Sequence, residues 1–240
     1  MTDLPKMGEP MLRVRGLNAW YGKSQVLRGV DMTVGRGEIV ALLGRNGAGR
    51  STTLKAIMGT VQREGHVAFD GHDISTRKPH EIARAGIGYV AEDRAIFPDL
   101  NTLQNLILGE KKGPGGTFGL EDAYALFPHL RERATAPASA LSGGEQQMLA
   151  ICRTLMGNPS LVMVDEPTEG LAPMLVQAVR DLLERVAASG TTILLVEQKL
   201  TIALAISQRL YVMGHGRIVF EGTPADLAAN AAVRKEWLEV

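Results

Sequence analysis

Three short stretches of this chain carry residues whose types and spacing could do chemistry. The first is GRNGAGRST: Gly44, Arg45, Asn46, Gly47, Ala48, Gly49, Arg50, Ser51 and Thr52. Glycines at 44, 47 and 49 let successive backbone N–H groups turn inward as an anion nest, and a helix starting after Gly49 would add the positive end of its dipole. Phosphate-binding loops of the pattern G-x-x-x-x-G-K-[ST] place lysine after the last glycine, where this chain has Arg50. Arginine keeps the charge and pairs well with phosphate oxygens, but its planar fork is bulkier than an ammonium. Anion binding rests on the backbone and is expected to survive the exchange, with the cost falling on rate. Ser51 stands where a hydroxyl would hold Mg2+.

The second stretch is LVMVDEPT, Leu161 to Thr168, an apolar run that delivers Asp165 and Glu166 at its end. Acids at the carboxyl end of a buried strand sit where parallel sheets place their sites. Neighbouring strand residues point to opposite faces, so the two acids are expected to do different work. Asp165 can support Mg2+, directly or through water, and Glu166 can polarise a water for attack on a phosphate. The third stretch is LSGGEQQ, in which Ser142, Gly143 and Gly144 precede the helical pattern EQQMLAICRTLM. A serine and two free amides at a helix start make a second anion site. One bound nucleotide does not need two.

The elements around these stretches fit them. EIVALL, Glu38 to Leu43, is a short apolar run leading into the glycine loop, and STTLKAIMG after it has helical spacing with Gly59 as a stop. MLRVRGLNAWYG and VLRGVDMTVGRG read as strands, HVAFDGHDI as a hairpin turning at Asp70-Gly71, and IGYVAEDRAIF as a strand running to Phe97-Pro98. From about 96 to 157 helical patterns dominate, broken by the flexible stretch KKGPGGTFG. AVRDLLERVAASG is an amphipathic helix ending at Gly190, TTILLVEQ a strand, LYVMGHGRIVFEG a hairpin over Gly214 to Gly216, and the tail is helical. The expected organisation is an α/β core at about 11–95 and 158–240, a helical subdomain at about 96–157, and a loose leader at 1–10.

The bulk of the chain narrows the function classes. It has 240 residues, 45% hydrophobic and 22% charged, which supports a substantial core. Lysine plus arginine and aspartate plus glutamate each number 26, so nothing favours wrapping a nucleic acid. The lone Cys152 lies in the apolar run MLAIC and reads as a buried small hydrophobe. His66, His72, His80, His129 and His215 lack metal-ligand spacing and read as surface or turn residues. No apolar leader is evident, and no stretch reaches the roughly 18 uninterrupted apolar residues of a membrane span. Any work at a membrane needs another chain to supply the span.

LSGGEQQ, shortly before the LVMVDE strand and downstream of the glycine loop, resembles the signature motif of ATP-binding cassette (ABC) ATPases. The resemblance runs from about Met11 to the tail. It implies a P-loop fold with a mixed central sheet, an antiparallel N-terminal β subdomain and an inserted helical subdomain, and it implies ATP and Mg2+ as ligands. It implies that Tyr21 stacks on adenine, and that two subunits sandwich two ATP molecules head to tail. Ser142, Gly143, Gly144 and Glu145 would then contact the ATP held by the partner. Where the family has a Mg2+-reaching glutamine this chain has Glu92, and where it has a switch histidine this chain has Gln198. Glutamine can hydrogen-bond a phosphate but cannot carry a proton, which leaves Glu166 as the base.

The acid at 92, FP after it, VEQ near 198 and EGLAP after the acids resemble the second ATPase of branched-chain amino acid importers. Urea and short-chain amide importers share these features. The resemblance implies a homodimer or a heterodimer with a paralogous ATPase, two integral-membrane permeases docking at Phe97, Pro98 and Leu100, and a periplasmic solute-binding protein acting indirectly. It places the chain on the cytoplasmic face of the inner membrane, with no contact to the solute. Two other readings stay open from the residues: a non-hydrolysing nucleotide-binding module disabled at Arg50 and Gln198, and a soluble cassette acting on ribosomes or DNA. Such soluble relatives usually carry tandem cassettes or long coiled-coil insertions, and this chain has neither.

Overall fold

A computed structural model describes residues 9–111 and 118–238. Most of the expected leader, and residues 112–117 within KKGPGGTFG, lie outside the described residues. The chain begins with β1 (Leu12–Tyr21) and β2 (Ser24–Val34), followed by β3 (Ile39–Gly44), α1 (Arg50–Ile57), β4 (Gln62–Phe69) and β5 (His72–Asp73). Strands β2, β1, β4 and β5 pair antiparallel in that order. The β4–β5 turn falls on Asp70 and Gly71, both at positive φ, as the sequence led one to expect.

Next come α2 (Pro79–Ala85), β6 (Ile87–Val90), and a helical stretch of α3 (Thr102–Gly109), α4 (Leu120–Leu126), α5 (Pro128–Glu132) and α6 (Gly143–Leu155). The chain then alternates through β7 (Leu161–Asp165), α7 (Pro173–Ala188), β8 (Thr192–Val196) and α8 (Leu200–Ile206). It closes with the hairpin β9 (Arg209–Gly214) and β10 (Arg217–Gly222), then α9 (Pro224–Ala229) and α10 (Ala231–Trp237). The second sheet has the order β10-β9-β3-β8-β7-β6, parallel except for the β9–β10 hairpin.

Side-chain alternation explains why this sheet is apolar on both faces. Leu161 and Met163 of β7, with Leu194 and Val196 of β8, join the core shared with α1 and the antiparallel sheet. Val162 and Val164, with Ile193 and Leu195, face a second core built with α6 and α7. A parallel sheet covered on both sides needs such unbroken apolar strands, and α1 is held between the two sheets. Cys152 is fully buried in the α6 core, and burial pushes its thiol pKa up.

Several boundaries differ from expectation, among them that of β8, whose pattern runs through Gln198 but which ends at Val196. The strand read through IGYVAEDRAIF stops at Val90, where the chain enters a turn closed by the Arg94 N–H donating to the Ala91 carbonyl at 3.0 Å, and Arg94 and Ala95 then take φ of 64° and 43°. Strand β7 stops at Asp165, since Glu166 has φ of 45°. Helix α6 starts at Gly143, two residues earlier than the pattern EQQMLAICRTLM, with Ser142 as its N-cap.

Candidate functional site

The sheet order aligns the functional loops. Glu92 follows β6, Asp165 and Glu166 end β7, Glu197 and Gln198 follow β8, and the glycine loop follows β3. These four strands are consecutive neighbours, so their carboxyl ends form one continuous edge. A cleft of about 430 Å³ opens there, lined by Asn46, Gly47, Gly49, Arg50, Ser51, Thr52, Glu92, Glu166, Glu169 and Val26. A larger cleft of about 550 Å³ lies at the opposite edge, against Ser160 and Thr192 at the strand starts, and holds none of these residues.

The glycine loop has the geometry an anion nest requires. Gly49 sits at φ 106° as the N-cap of α1, and no side chain among the described residues caps that helix. A Cβ on Gly49 would approach Leu27 Cδ2 to 2.9 Å, so both its conformation and its neighbours call for glycine. The Ala48 carbonyl accepts from Gly216 N–H at 3.0 Å, anchoring the loop to the β9–β10 turn.

Arg50 is buried, 4% exposed, and its Nη2 lies 2.6 Å from Glu166 Oε1 and 3.1 Å from Asn46 Oδ1. Its Nη1 is buried with no hydrogen-bond partner among the described residues. Leaving such a donor unpaired costs about 1–3 kcal/mol, and phosphate oxygens in the cleft would supply the missing acceptor. Burial raises the Glu166 carboxyl pKa, and the Arg50 charge opposes the rise.

Asp165 points elsewhere, as two acids with different work require. It accepts from Ser51 Oγ at 2.9 Å and from the Tyr89 hydroxyl at 3.3 Å. Burial raises its pKa; the Ser51 hydrogen bond pulls it down, while the charge of nearby Glu92 pushes it up. No group of three or more acidic, histidine or cysteine ligands occurs among the described residues. A hydroxyl and two carboxyls beside a phosphate nest still fit Mg2+, which takes one or two protein carboxylates and fills its octahedron with water and phosphate oxygens.

A strand–nest–helix unit with two differently engaged acids at the end of β7, one strand beyond β8, is the apparatus of a nucleotide hydrolase, and comparison with known proteins gives its family. The ABC transporter family model matches residues 27–169. The chain belongs to that family. It is 40% identical to the high-affinity branched-chain amino acid transport ATP-binding protein BraG of Pseudomonas aeruginosa, over 95% of this chain and 99% of that one. It is 32% identical to the lipopolysaccharide export system ATP-binding protein LptB of Escherichia coli, over 95% and 96%. Among solved structures, a nucleotide-free ATP-binding cassette from an ABC transporter superposes with a TM-score of 0.80 at 28% identity, covering 95% of this chain and 98% of that one. The ADP conformation of MJ1267, another ABC cassette, gives 0.77 at 30%, covering 93% and 94%.

Within this ABC ATPase the remaining expected residues fall in several places. Tyr21 ends β1 and is 47% exposed, so it is no core aromatic. Gln198 is exposed beyond β8. Ser142, Gly143, Gly144 and Glu145 lie at the start of α6, away from the cleft-lining residues. Ser142 Oγ accepts the Glu145 N–H at 3.3 Å, and the Glu145 carboxylate accepts the Ser142 N–H at 2.7 Å. A Cβ on Gly143 would come within 3.1 Å of the Arg94 guanidinium. Phe97 is 49% exposed with the Arg153 guanidinium 5.0 Å over its ring, Pro98 is exposed and Leu100 is half-buried. All five histidines are exposed. No helix among the described residues is long and apolar enough to cross a membrane.

Sequence reasoning passed over Tyr89, Thr168 and Glu197. Tyr89 is a lone aromatic in a strand and its bond to Asp165 crosses two strands. Thr168 and Glu197 are buried polar residues whose only signal is each other, across a sequence gap that no motif spans.

Proposed function

We propose that this ABC ATPase energises an importer for branched-chain or related amino acids, and that the 40% identity to BraG along nearly the whole of both chains carries the reading. The likeness to LptB is lower over a similar span, which supports the amino-acid class over lipid export. In this reading the chain sits on the cytoplasmic face of the inner membrane and pairs with a second copy or a paralogous ATPase. It drives two permeases that dock on Phe97, Pro98 and Leu100, while a periplasmic protein captures the solute.

ATP lies with adenine on Tyr21 and its phosphates in the nest of residues 44–52. Ser51, Asp165 and Glu92 would hold Mg2+, which neutralises charge on the β- and γ-phosphate oxygens when bound. Arg50 exchanges Glu166 for phosphate oxygens as ATP enters, and its unpaired Nη1 gains an acceptor. Glu166, released, orients a water and takes its proton, while Gln198 hydrogen-bonds the γ-phosphate. Ser142, Gly143, Gly144 and Glu145 reach the ATP of the partner subunit, so hydrolysis opens a closed dimer. That opening and closing moves the permeases between inward- and outward-facing states.

Uptake by cells tests the solute class. Deleting the gene should abolish high-affinity uptake of labelled leucine, isoleucine and valine, and the wild-type gene should restore it while Glu166→Gln should not. Unchanged uptake of all three, with loss of urea or short-chain amide uptake instead, would overturn the assignment.

A further inference from the structure

Glu197 is a charged-type residue with only 2% of its surface exposed, and no step above uses it. Its Oε1 accepts the Thr168 hydroxyl at 2.6 Å, and its Oε2 accepts the backbone N–H of Gln198 and of Lys199, each at 3.2 Å. Lys199 Nζ returns the contact by donating to the Thr168 carbonyl at 3.3 Å. Thr168 is itself fully buried, two residues beyond Glu166 in a tight turn where Glu169 N–H donates to the Glu166 carbonyl at 3.2 Å. One carboxyl thus closes the loop bearing Gln198 and ties it to the turn bearing Glu166.

The bond extends the sheet's own ladder. Glu166 N–H donates to the Val196 carbonyl at 2.9 Å, the last rung between β7 and β8, and the Thr168–Glu197 bond lies just beyond it. Backbone pairing ends there because Glu166 takes a left-handed conformation. A side-chain bond takes over where the ladder can no longer continue. A buried polar group that is fully bonded holds one geometry, whereas an apolar contact at the same place would allow the two loops to slide.

We propose that Glu197 is a positioning residue that clamps the Gln198 loop to the Glu166 turn through Thr168, so that the proposed base and the γ-phosphate contact move as one unit. The clamp rests on the roles proposed for Glu166 and Gln198. Its signature is a loss of turnover without a loss of nucleotide affinity, because neither Glu197 nor Thr168 lines the phosphate nest.

The test measures steady-state ATP turnover, KM for ATP and melting temperature of the purified full-length chain and its variants. Thr168→Val removes the hydroxyl at nearly constant shape and should lower kcat about tenfold with KM within about twofold. Thr168→Ser, which restores the hydroxyl, should recover most of that loss. Glu197→Met, which keeps the length but has no oxygen to accept the Thr168 hydroxyl, should lower kcat at least as much, and adding Thr168→Val to it should cost nothing further, since the hydroxyl's partner is already gone. Should Glu197→Met fail to fold, the Thr168 pair carries the test. Turnover within twofold of wild type in Thr168→Val, an equal loss in Thr168→Ser, or losses that multiply in the double variant would each overturn the clamp. Gln198→Ala, measured alongside, separates the two ideas. If it is silent while Thr168→Val is slow, the role of Gln198 falls and the clamp stands on the Glu166 turn alone.

Discussion

Two helices in this molecule begin on glycine-rich turns and present their first amides in opposite ways. Helix α1 starts from Gly49, in the left-handed region, and among the described residues no side chain caps it and Nη1 of its buried Arg50 finds no partner. Helix α6 starts from Ser142, whose hydroxyl and amide are both engaged by Glu145 in a reciprocal capping box. The first end is open and satisfied only by a ligand, so it is built to bind from the outset. In the second the capping box engages the Ser142 and Glu145 amides, and the Gly143 and Gly144 amides stand outside it. In the dimer proposed above, those amides and the Ser142 hydroxyl would meet a phosphate already held by the other subunit.

Four measurements bear on this contrast. Gly49→Ala should cost the most: a Cβ at φ 106° is strained by about 1–3 kcal/mol and meets Leu27, so nucleotide affinity should fall tenfold or more in equilibrium binding. Ser142→Ala should leave binding to the isolated chain unchanged and remove about 1 kcal/mol of stability on loss of the cap, seen as a lower urea midpoint. Its turnover should fall only where two subunits can close on ATP. If Ser142→Ala weakened binding to the monomer, the two helix ends would not divide the work in this way.

Smaller effects concern the arginine. Arg50→Lys should keep ATP affinity within about threefold and raise turnover severalfold, because a lysine ammonium reaches between phosphates with less bulk. A fall in turnover would mean that the guanidinium fork is adapted to this site. The pH profile should shift least. Burial raises the Glu166 pKa, and a base must be deprotonated, so the acid limb of turnover should lie above the ordinary glutamate value of about 4.3. An acid limb at or below that value would point to a different base.

Much of the site is legible in the sequence because its parts are local. Glycines at 44, 47 and 49 directly after an apolar run, and acids at 165 and 166 directly after another, specify strand ends and loops without tertiary knowledge. The capping box at Ser142 and Glu145 is likewise a spacing of three. What the sequence hides depends on strand order. The Arg50–Glu166 pair and the Thr168–Glu197 bond form only because β8 lies between β3 and β7. The early end of β6 is hidden for a local reason: the turn from Ala91 to Arg94 carries no glycine, proline or asparagine to announce it. Glu197 closes an apolar strand pattern, and nothing in its residue type signals that its carboxyl is buried.

In this reading the Arg50 variant of the phosphate loop still supports hydrolysis, with Glu166 as the base. Turnover and equilibrium ATP binding of wild type and Glu166→Gln, with the permeases present, decide it. Binding should be equal within about threefold, and turnover should fall by about a hundredfold or more. A wild type that binds ATP yet turns over no faster than Glu166→Gln would contradict it.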